Sequence, residues 1–356
     1  MNYQLKQRGR ASIDFLVTLR RESNALEVSP SAIGVAINAA FAHPAFNADL
    51  GFEKMQAEVL AKLQCFQKFR MLRLCREWML DNHGLIAIDA FESIREELSP
   101  ILDAALEGSS SLDYAKSLDS PKYWKGYEFH RSAGGWDGHD YMGFVHGELI
   151  HTHMVGRSLA DALAAQRLAA AEAAPCKKPS EILELGCASG QFTQALAETF
   201  PAAEITALDL SARQLEQTLR RGNSQGFEWQ LMQASAENSG LNDEQFDLVC
   251  SYAMFHELPG DVARKVMSEM FRLCKPGGAM LMADVKPYSS LDEDALWNAD
   301  FWNQMVGGDP FWREYAMTDF VGLAEAVGFA NVIWHGLGEF EYPYVLSAFK
   351  PQQRDL

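Results

Sequence analysis

The chain has 356 residues, of which 48% are hydrophobic and 22% charged, so it can bury a sizeable core and is too apolar to stay disordered. Against 48 acidic residues stand 31 basic ones, a net charge of −17 that repels phosphodiester backbones and sets nucleic acid aside as a partner. No stretch approaches the roughly 18 apolar residues that cross a bilayer, and the first residues lack the apolar core of a signal peptide. Six scattered cysteines without a C-x-x-C pair complete the expectation of a reduced, cytoplasmic protein with no membrane contact.

The first third, residues 1–115, reads as mostly helical. Ser29-Pro30-Ser31 caps a helix over AIGVAINAAF that must end before Pro44. From Gly51 to Asp81, Met55, Val59, Leu60, Leu63, Phe66, Phe69, Leu72, Leu74 and Trp78 recur mostly at threes and fours, which predicts one long amphipathic helix. A third helix is expected from about Asp89 to Leu106. No catalytic spacing occurs here, so an all-α cap or dimerisation domain is the expectation. Residues 116–176 form an aromatic, His-rich connector and lid, closed by an Ala-rich linker helix that ends at Pro175. From Glu181 short apolar runs alternate with amphipathic helices, the pattern of a parallel α/β sheet.

Within that region EILELGCASG carries the chemistry. Ile182 to Leu185 make a strand, Gly186 ends it, and Ser189-Gly190 open a helix, so backbone N–H groups and bare glycines face a ligand at the helix start. Asp209, at the tip of the next strand EITALDL, can accept both hydroxyls of a ribose. A dinucleotide oxidoreductase would share that unit. Two features favour another nucleoside: the spacing is G-x-x-x-G, not G-x-G-x-x-G, and the Glu184 carboxylate would repel a pyrophosphate while suiting an amine and a sulfonium.

The ordered set E-L-G-C-A-S-G, A-L-D-L, Q-A-S-A-E, Q-F-D-L-V and L-C-K-P-G-G resembles class I S-adenosylmethionine-dependent methyltransferases over about residues 178–350. The resemblance implies an α/β, Rossmann-like sheet of seven strands with the last antiparallel, in a domain spanning 177–356. It implies S-adenosyl-L-methionine as cofactor: Gly186, Ala188 and Gly190 around the methionine part with Glu184 beneath it, Asp209 on the ribose, Leu210 on the adenine, and Tyr252 at the sheet edge. Ser235-Ala236 stand where the family commonly has Asp-Ala, so the adenine amine would lose a charge-assisted hydrogen bond.

SYAMFHELP places His256 at the carboxyl edge of the sheet, and Asp284, ending the following strand, emerges beside it to orient the imidazole. A partial likeness to the dyad of polyketide-type C-methyltransferase domains supports that pair, while a merely structural His256 stays open. Glu257 is expected to face away, at the start of the next helix. An insertion over about 286–316 supplies an aromatic lid, with Gly307-Gly308 as a hinge. Trp136, His139, His146, Tyr288, Trp302 and Trp312 are the candidate acceptor-binding residues, with His130 a further polar tip. A metal is not expected, because H-G-E-L-I-H-T-H lacks H-E-x-x-H spacing and an ordinary helix puts His146 and His153 on one face with His151 off it.

The sequence therefore predicts methyl transfer to an oxygen or activated carbon of a small biosynthetic acceptor, free or presented on an acyl or peptidyl carrier protein, by a homodimer. An NAD(P)-type oxidoreductase and a non-catalytic module that binds the same cofactor are the alternatives.

Overall fold

The computed structural model describes residues 3–23, 26, 51–159 and 162–352, so the helix expected over AIGVAINAAF lies outside the described residues. Among the described residues, the α-helices longer than one turn are α1 (Gln7–Ser23), α2 (Gly51–Leu63), α3 (Gln67–Glu92), α4 (Arg95–Ala104), α5 (Ala162–Glu172), α6 (Gln191–Thr199), α7 (Ala212–Gln225), α8 (Gly260–Leu273), α9 (Glu293–Ala299), α10 (Trp312–Met317) and α11 (Phe320–Val327); Val145–Gly156 and Asp300–Gly307 are π-helices. The strands are β1 (Ser111–Asp113), β2 (Glu181–Leu185), β3 (Glu204–Asp209), β4 (Trp229–Gln233), β5 (Phe246–Tyr252), β6 (Cys274–Asp284), β7 (Ala330–Gly336) and β8 (Tyr344–Phe349).

They form one sheet in the order β1-β4-β3-β2-β5-β6-β8-β7. Strands β2 to β6 run parallel, and β8 lies antiparallel to both β6 and β7. The sheet is the expected Rossmann-like one with eight strands instead of seven. The addition, β1, pairs in parallel with β4, and its three residues Ser-Leu-Asp carry no period long enough to read. Both faces are covered, which is why the central strands are almost wholly apolar. Leu183, Leu185, Val249 and Met282 pack towards α8 and α11, while Ile182, Ile205, Leu248 and Leu281 pack towards α5, α6 and α7.

The N-terminal region is helical, as expected, with different boundaries. The predicted helix over Gly51–Asp81 is broken at residues 64–66, where the Cys65 and Phe66 amides turn back to the Lys62 and Leu63 carbonyls. Its second part then runs straight through to Glu92 as α3. Leu16, Val17, Ala87, Phe91, Phe144 and Leu149 join α1 and α3 to the connector in one core. A separate cluster joins α2 and α3 to the insertion, with Trp297 and Phe301 stacked at 4.8 Å between Val59, Leu63 and Phe69.

Asp300 anchors that joint. It is fully buried and accepts from Gln56 Nε2 at 2.6 Å, Tyr288 OH at 2.8 Å, and both Arg313 Nε and Nη2 at 2.6 and 2.8 Å. Asp300→Ala removes the buried acceptor that three side chains share, so we expect unfolding in urea to show a loss of about 3 kcal/mol. A variant as stable as the parent would contradict this account of the joint.

The connector holds a second departure from ordinary helix geometry. Val145–Gly156 is a π-helix, with five-residue in place of four-residue hydrogen-bond spacing. The longer turn brings His146 and His151 together, ring centroids 4.5 Å apart, and sends His153 outward to the Tyr3 hydroxyl at 2.7 Å. The pairing of His146 with His153 expected from a 3.6-residue period is therefore corrected.

Candidate active site

The carboxyl ends of β2, β3, β5 and β6 open into a cavity of about 940 Å³, roofed by the connector, the N-terminal helices and the insertion. Its floor is the loop after β2. The Gly186 and Cys187 amides bond the Leu208 carbonyl at 2.8 and 3.0 Å, and Gly186, Ala188 and Gly190 all take positive φ, at 71°, 45° and 75°. This tight path bares the loop and the start of α6 to the cavity, as an anionic or polar ligand requires. A Cβ on Gly186 would fall 2.5 Å from Met254 Sδ. Gly186→Ala should lower stability by about 1–2 kcal/mol, from the left-handed backbone alone, and push Met254 into the cavity. Urea unfolding checks this; an unchanged midpoint would contradict it.

Two carboxylates stand at this floor. Asp209 accepts the Ala188 amide at 2.9 Å on one oxygen and the Ser211 amide at 2.8 Å on the other, which fixes its plane and leaves each oxygen a further lone pair for a ligand. Burial outweighs those two bonds and pushes its pKa up to about 6. Glu184, 1% exposed, accepts from Thr193 Oγ1 at 2.6 Å, and burial lifts its pKa to about 8. Two buried carboxyls with raised pKa values are costly in the free protein, and a cationic ligand offsets that cost. Leu210, Ala236 and Tyr252 also line the cavity, Tyr252 stacked on Phe192 at 5.0 Å.

Above them, the one-turn helix Phe255–Glu257 presents two side chains to the cavity. His256 Nδ1 donates to Asp284 Oδ1 at 2.6 Å, and Asp284 is itself held by the Phe255 and Val285 amides, both at 2.8 Å. Burial alone would lower the imidazole pKa, but the charge and hydrogen bond of Asp284, with Glu257 and Asp309 beyond it, push it up to about 9. Glu257 does not face away as expected. Its Oε1 lies 3.0 Å from His130 Nε2 and 3.9 Å from His256 Nε2, while His130 Nδ1 meets Asp309 Oδ1 at 2.6 Å. Partial burial of His130 disfavours its charge, yet the two flanking carboxylates hold its pKa well above the ordinary value. Asp309, His130, Glu257, His256 and Asp284 thus form one alternating chain of acids and imidazoles drawn from the insertion, the connector and the sheet edge.

The remaining sequence-predicted residues divide. Trp136, His146, Trp302 and Trp312 line the cavity, Trp136 edge-on to His146 at 4.5 Å and Trp312 edge-on to His256 at 5.4 Å. His139 does not, because its Nε2 is taken by Glu92 of α3 at 2.7 Å. Tyr288 does not, because its hydroxyl is spent on Asp300. Gly190 and Ser235 lie outside the lining too: Gly190 packs against Thr218 as the residue before α6, and Ser235 turns back on Asn238 while its neighbours Ala234 and Ala236 reach the cavity. Among the described residues no group of three or more His, Cys, Asp or Glu side chains is placed to hold a metal ion, and no helix is long and apolar enough to cross a membrane.

Residues 182–278 match the family described as a methyltransferase domain. The chain is 31% identical over 119 residues to phthiotriol/phenolphthiotriol dimycocerosates methyltransferase 1 of Mycobacterium ulcerans, a match covering 33% of this chain and 41% of that one. It is 30% identical over 178 residues to malonyl-[acyl-carrier protein] O-methyltransferase of a Paenibacillus species, covering 49% and 59%. The chain thus spans about two fifths to three fifths of the length of these curated relatives. A solved structure from Nostoc punctiforme, provisionally described as an O-methyltransferase, covers 96% of this chain and 95% of its own at a TM-score of 0.51 and 14% identity, a likeness of fold alone.

Proposed function

We propose, from the class I S-adenosylmethionine-dependent methyltransferase domain that this chain carries, that the protein transfers a methyl group to an oxygen or activated carbon of a small acceptor held in the aromatic half of the cavity. The observation that carries the reading is the His256–Asp284 pair standing on the same cavity as Glu184 and Asp209. A donor site and an imidazole whose base form grows towards pH 9 then share one space, as in-line displacement with proton removal requires.

The residues present fit the cofactor. Asp209, fixed by two amides and with lone pairs to spare, would hold the ribose hydroxyls. Glu184 would face the ammonium of the methionine part, and the exposed loop at 186–189 would accommodate the backbone-like portion between them. When bound, S-adenosylmethionine supplies a methyl group activated by a sulfonium. His256 would receive the acceptor's proton on Nε2, its Nδ1–H staying hydrogen-bonded to the Asp284 carboxylate, whose charge stabilises the imidazolium. Glu257, held by His130, which Asp309 holds from its other ring nitrogen, supplies a second negative charge on the Nε2 side. Trp136, Trp302 and Trp312 exclude water from the acceptor.

The acceptor is a biosynthetic intermediate, free or on a carrier protein; the relatives named for lipid and acyl-carrier substrates support that class. Soluble cytoplasmic action as a homodimer, with the helices of residues 1–115 as cap, completes the proposal. Methyl-labelled S-adenosylmethionine should pass label to an organic extract when hydroxylated lipids, free acids, phenols and acyl carrier protein are offered, and His256→Ala should stop the transfer. Label confined to the donor across all four classes would contradict the reading.

Glu257→Gln should lower the pH at which the His256 ring titrates, because a negative neighbour on the Nε2 side is lost. Histidine-detected NMR reads this directly, and an unmoved titration would show that Glu257 does not act on His256.

A further inference from the structure

The linker helix α5 carries a charge on the face it buries. Ala170 and Ala171 are fully buried, in the core that also holds Phe192 and Leu196 of α6, and side chains this small let the two helices approach closely. Arg167 stands three and four residues before those alanines, hence on the same face, and it lines the cavity. Its guanidinium lies 5.8 Å from the centroid of the Tyr252 ring, which stacks on Phe192 in the first turn of α6. Tyr252 follows Ser251, the residue of β5 that pairs with Leu185 just before the Gly186 turn. Arg167 is thereby held beside the loop between β2 and α6, in the cavity that Glu184 and Gln191 also line.

That position lacks a counter-charge. Among the described residues Arg167 makes no ion pair, and its hydrogen bond runs from Nη2 to His151 Nδ1 at 3.4 Å. The π-helix brings His151 there, and Gln191 ties that helix to the start of α6 by donating to the Gly147 carbonyl at 2.9 Å. Burial first, and the charge of Arg167 next, push the His151 pKa down to about 3, so the ring accepts this bond as a neutral group. A guanidinium carries five N–H donors, and burial weighs most against the charge of this one. Glu184 acts on Arg167 through its field without touching it. The side-chain oxygen of Gln166, also buried at the cavity, has no hydrogen-bond partner among the described residues. An amide oxygen without a donor and a guanidinium without an anion, on adjacent residues, are together satisfied by an α-amino acid group.

Resting on the methyltransferase reading, we infer that Arg167 binds the carboxylate of the amino acid end of S-adenosylmethionine, whose ammonium faces Glu184. A carboxylate meets the planar guanidinium fork with two parallel charge-assisted hydrogen bonds. Arg167 lies outside residues 182–278, the stretch that matches the methyltransferase family, so the contact is an addition made by the linker helix. Its consequence is selectivity for the intact amino acid. With the carboxylates of Glu184 and Asp209 alone, a nucleoside that keeps the amine and lacks the carboxylate, and so is net positive, is held more tightly than the zwitterion. Arg167 reverses that order.

Titration calorimetry of the full chain with S-adenosylhomocysteine and with its decarboxylated analogue, which has hydrogen in place of the carboxylate, tests the inference without knowledge of the methyl acceptor. The parent should bind S-adenosylhomocysteine at least about tenfold more tightly than the analogue, the worth of one charge-assisted bond. Arg167→Gln should lose or reverse the preference while holding the analogue at least as tightly as the parent does, which shows its nucleoside site intact. Arg167→Lys should keep part of the preference, since the charge stays and the fork is lost. If the glutamine variant fails to fold, the parent's preference and its partial loss in the lysine variant decide by the same measure. A parent that binds both ligands equally or prefers the analogue, or a glutamine variant with an undiminished preference, overturns this inference alone. A parent that binds neither nucleoside overturns the methyltransferase reading first.

Discussion

Asp209→Ala should weaken S-adenosylhomocysteine binding by two to three orders of magnitude, about 3–4 kcal/mol. Two effects combine. Hydrogen bonds from two ribose hydroxyls to an ionised acceptor are lost, and the Ala188 and Ser211 amides lose the carboxylate that fixes the loop and the start of α7. Asp209→Asn separates the two. It keeps the shape and one carbonyl oxygen but lacks the charge, so its affinity should fall between parent and alanine variant. Calorimetry on both proteins measures the series, and an alanine variant binding within twofold of the parent would remove Asp209 from the site.

His256→Ala should lower the rate with any accepted substrate by about two to four orders of magnitude at pH 7, while S-adenosylhomocysteine affinity stays near the parent's. The pH dependence follows from the direction of the shift. With its pKa raised to about 9, the free imidazole is protonated at neutrality, so the base form grows and the rate rises with pH towards 9. In Asp284→Asn the largest raising influence is gone, and the ring should titrate below the parent's value near 9. The His256–Asp284 pair also stabilises the fold, fully below pH 6.5 and not above about 9, because its pKa is raised on folding. A rate that ignores pH between 7 and 9, with full activity in His256→Ala, would leave the residue a structural part only.

The two strand-end motifs were readable because a parallel sheet fixes where its carboxyl edges point. Once Glu184, Gly186 and Asp209 were assigned to the ends of β2 and β3, their convergence on one cavity followed, and His256 beside Asp284 followed from β5 lying next to β6. What escaped the sequence depended on partners distant along the chain or on local geometry without a regular period. Asp309 of the insertion meets His130 of the connector, which in turn meets Glu257, and nothing in either segment announces that meeting. Glu257 itself was misplaced because the helix begins later, at Gly260, leaving a tight turn that can show both His256 and Glu257 to the cavity. His139 and Tyr288 have the composition of pocket residues, but Glu92 and Asp300 claim them from outside the cavity. The π-helix rearranged the histidines in a way that a 3.6-residue period cannot show.

The raised carboxyls at the cavity floor offer the most direct test. With Glu184 near 8 and Asp209 near 6, folding favours their protonated forms, so the free protein loses stability as pH rises from about 4.5 towards 8. A ligand carrying an ammonium group reverses that preference and drives Glu184 to ionise. Titration of the parent protein with S-adenosylhomocysteine at pH 7, in two buffers of different ionisation enthalpy, should show saturable binding with net release of protons. No heat of binding at millimolar ligand in either buffer would contradict the account.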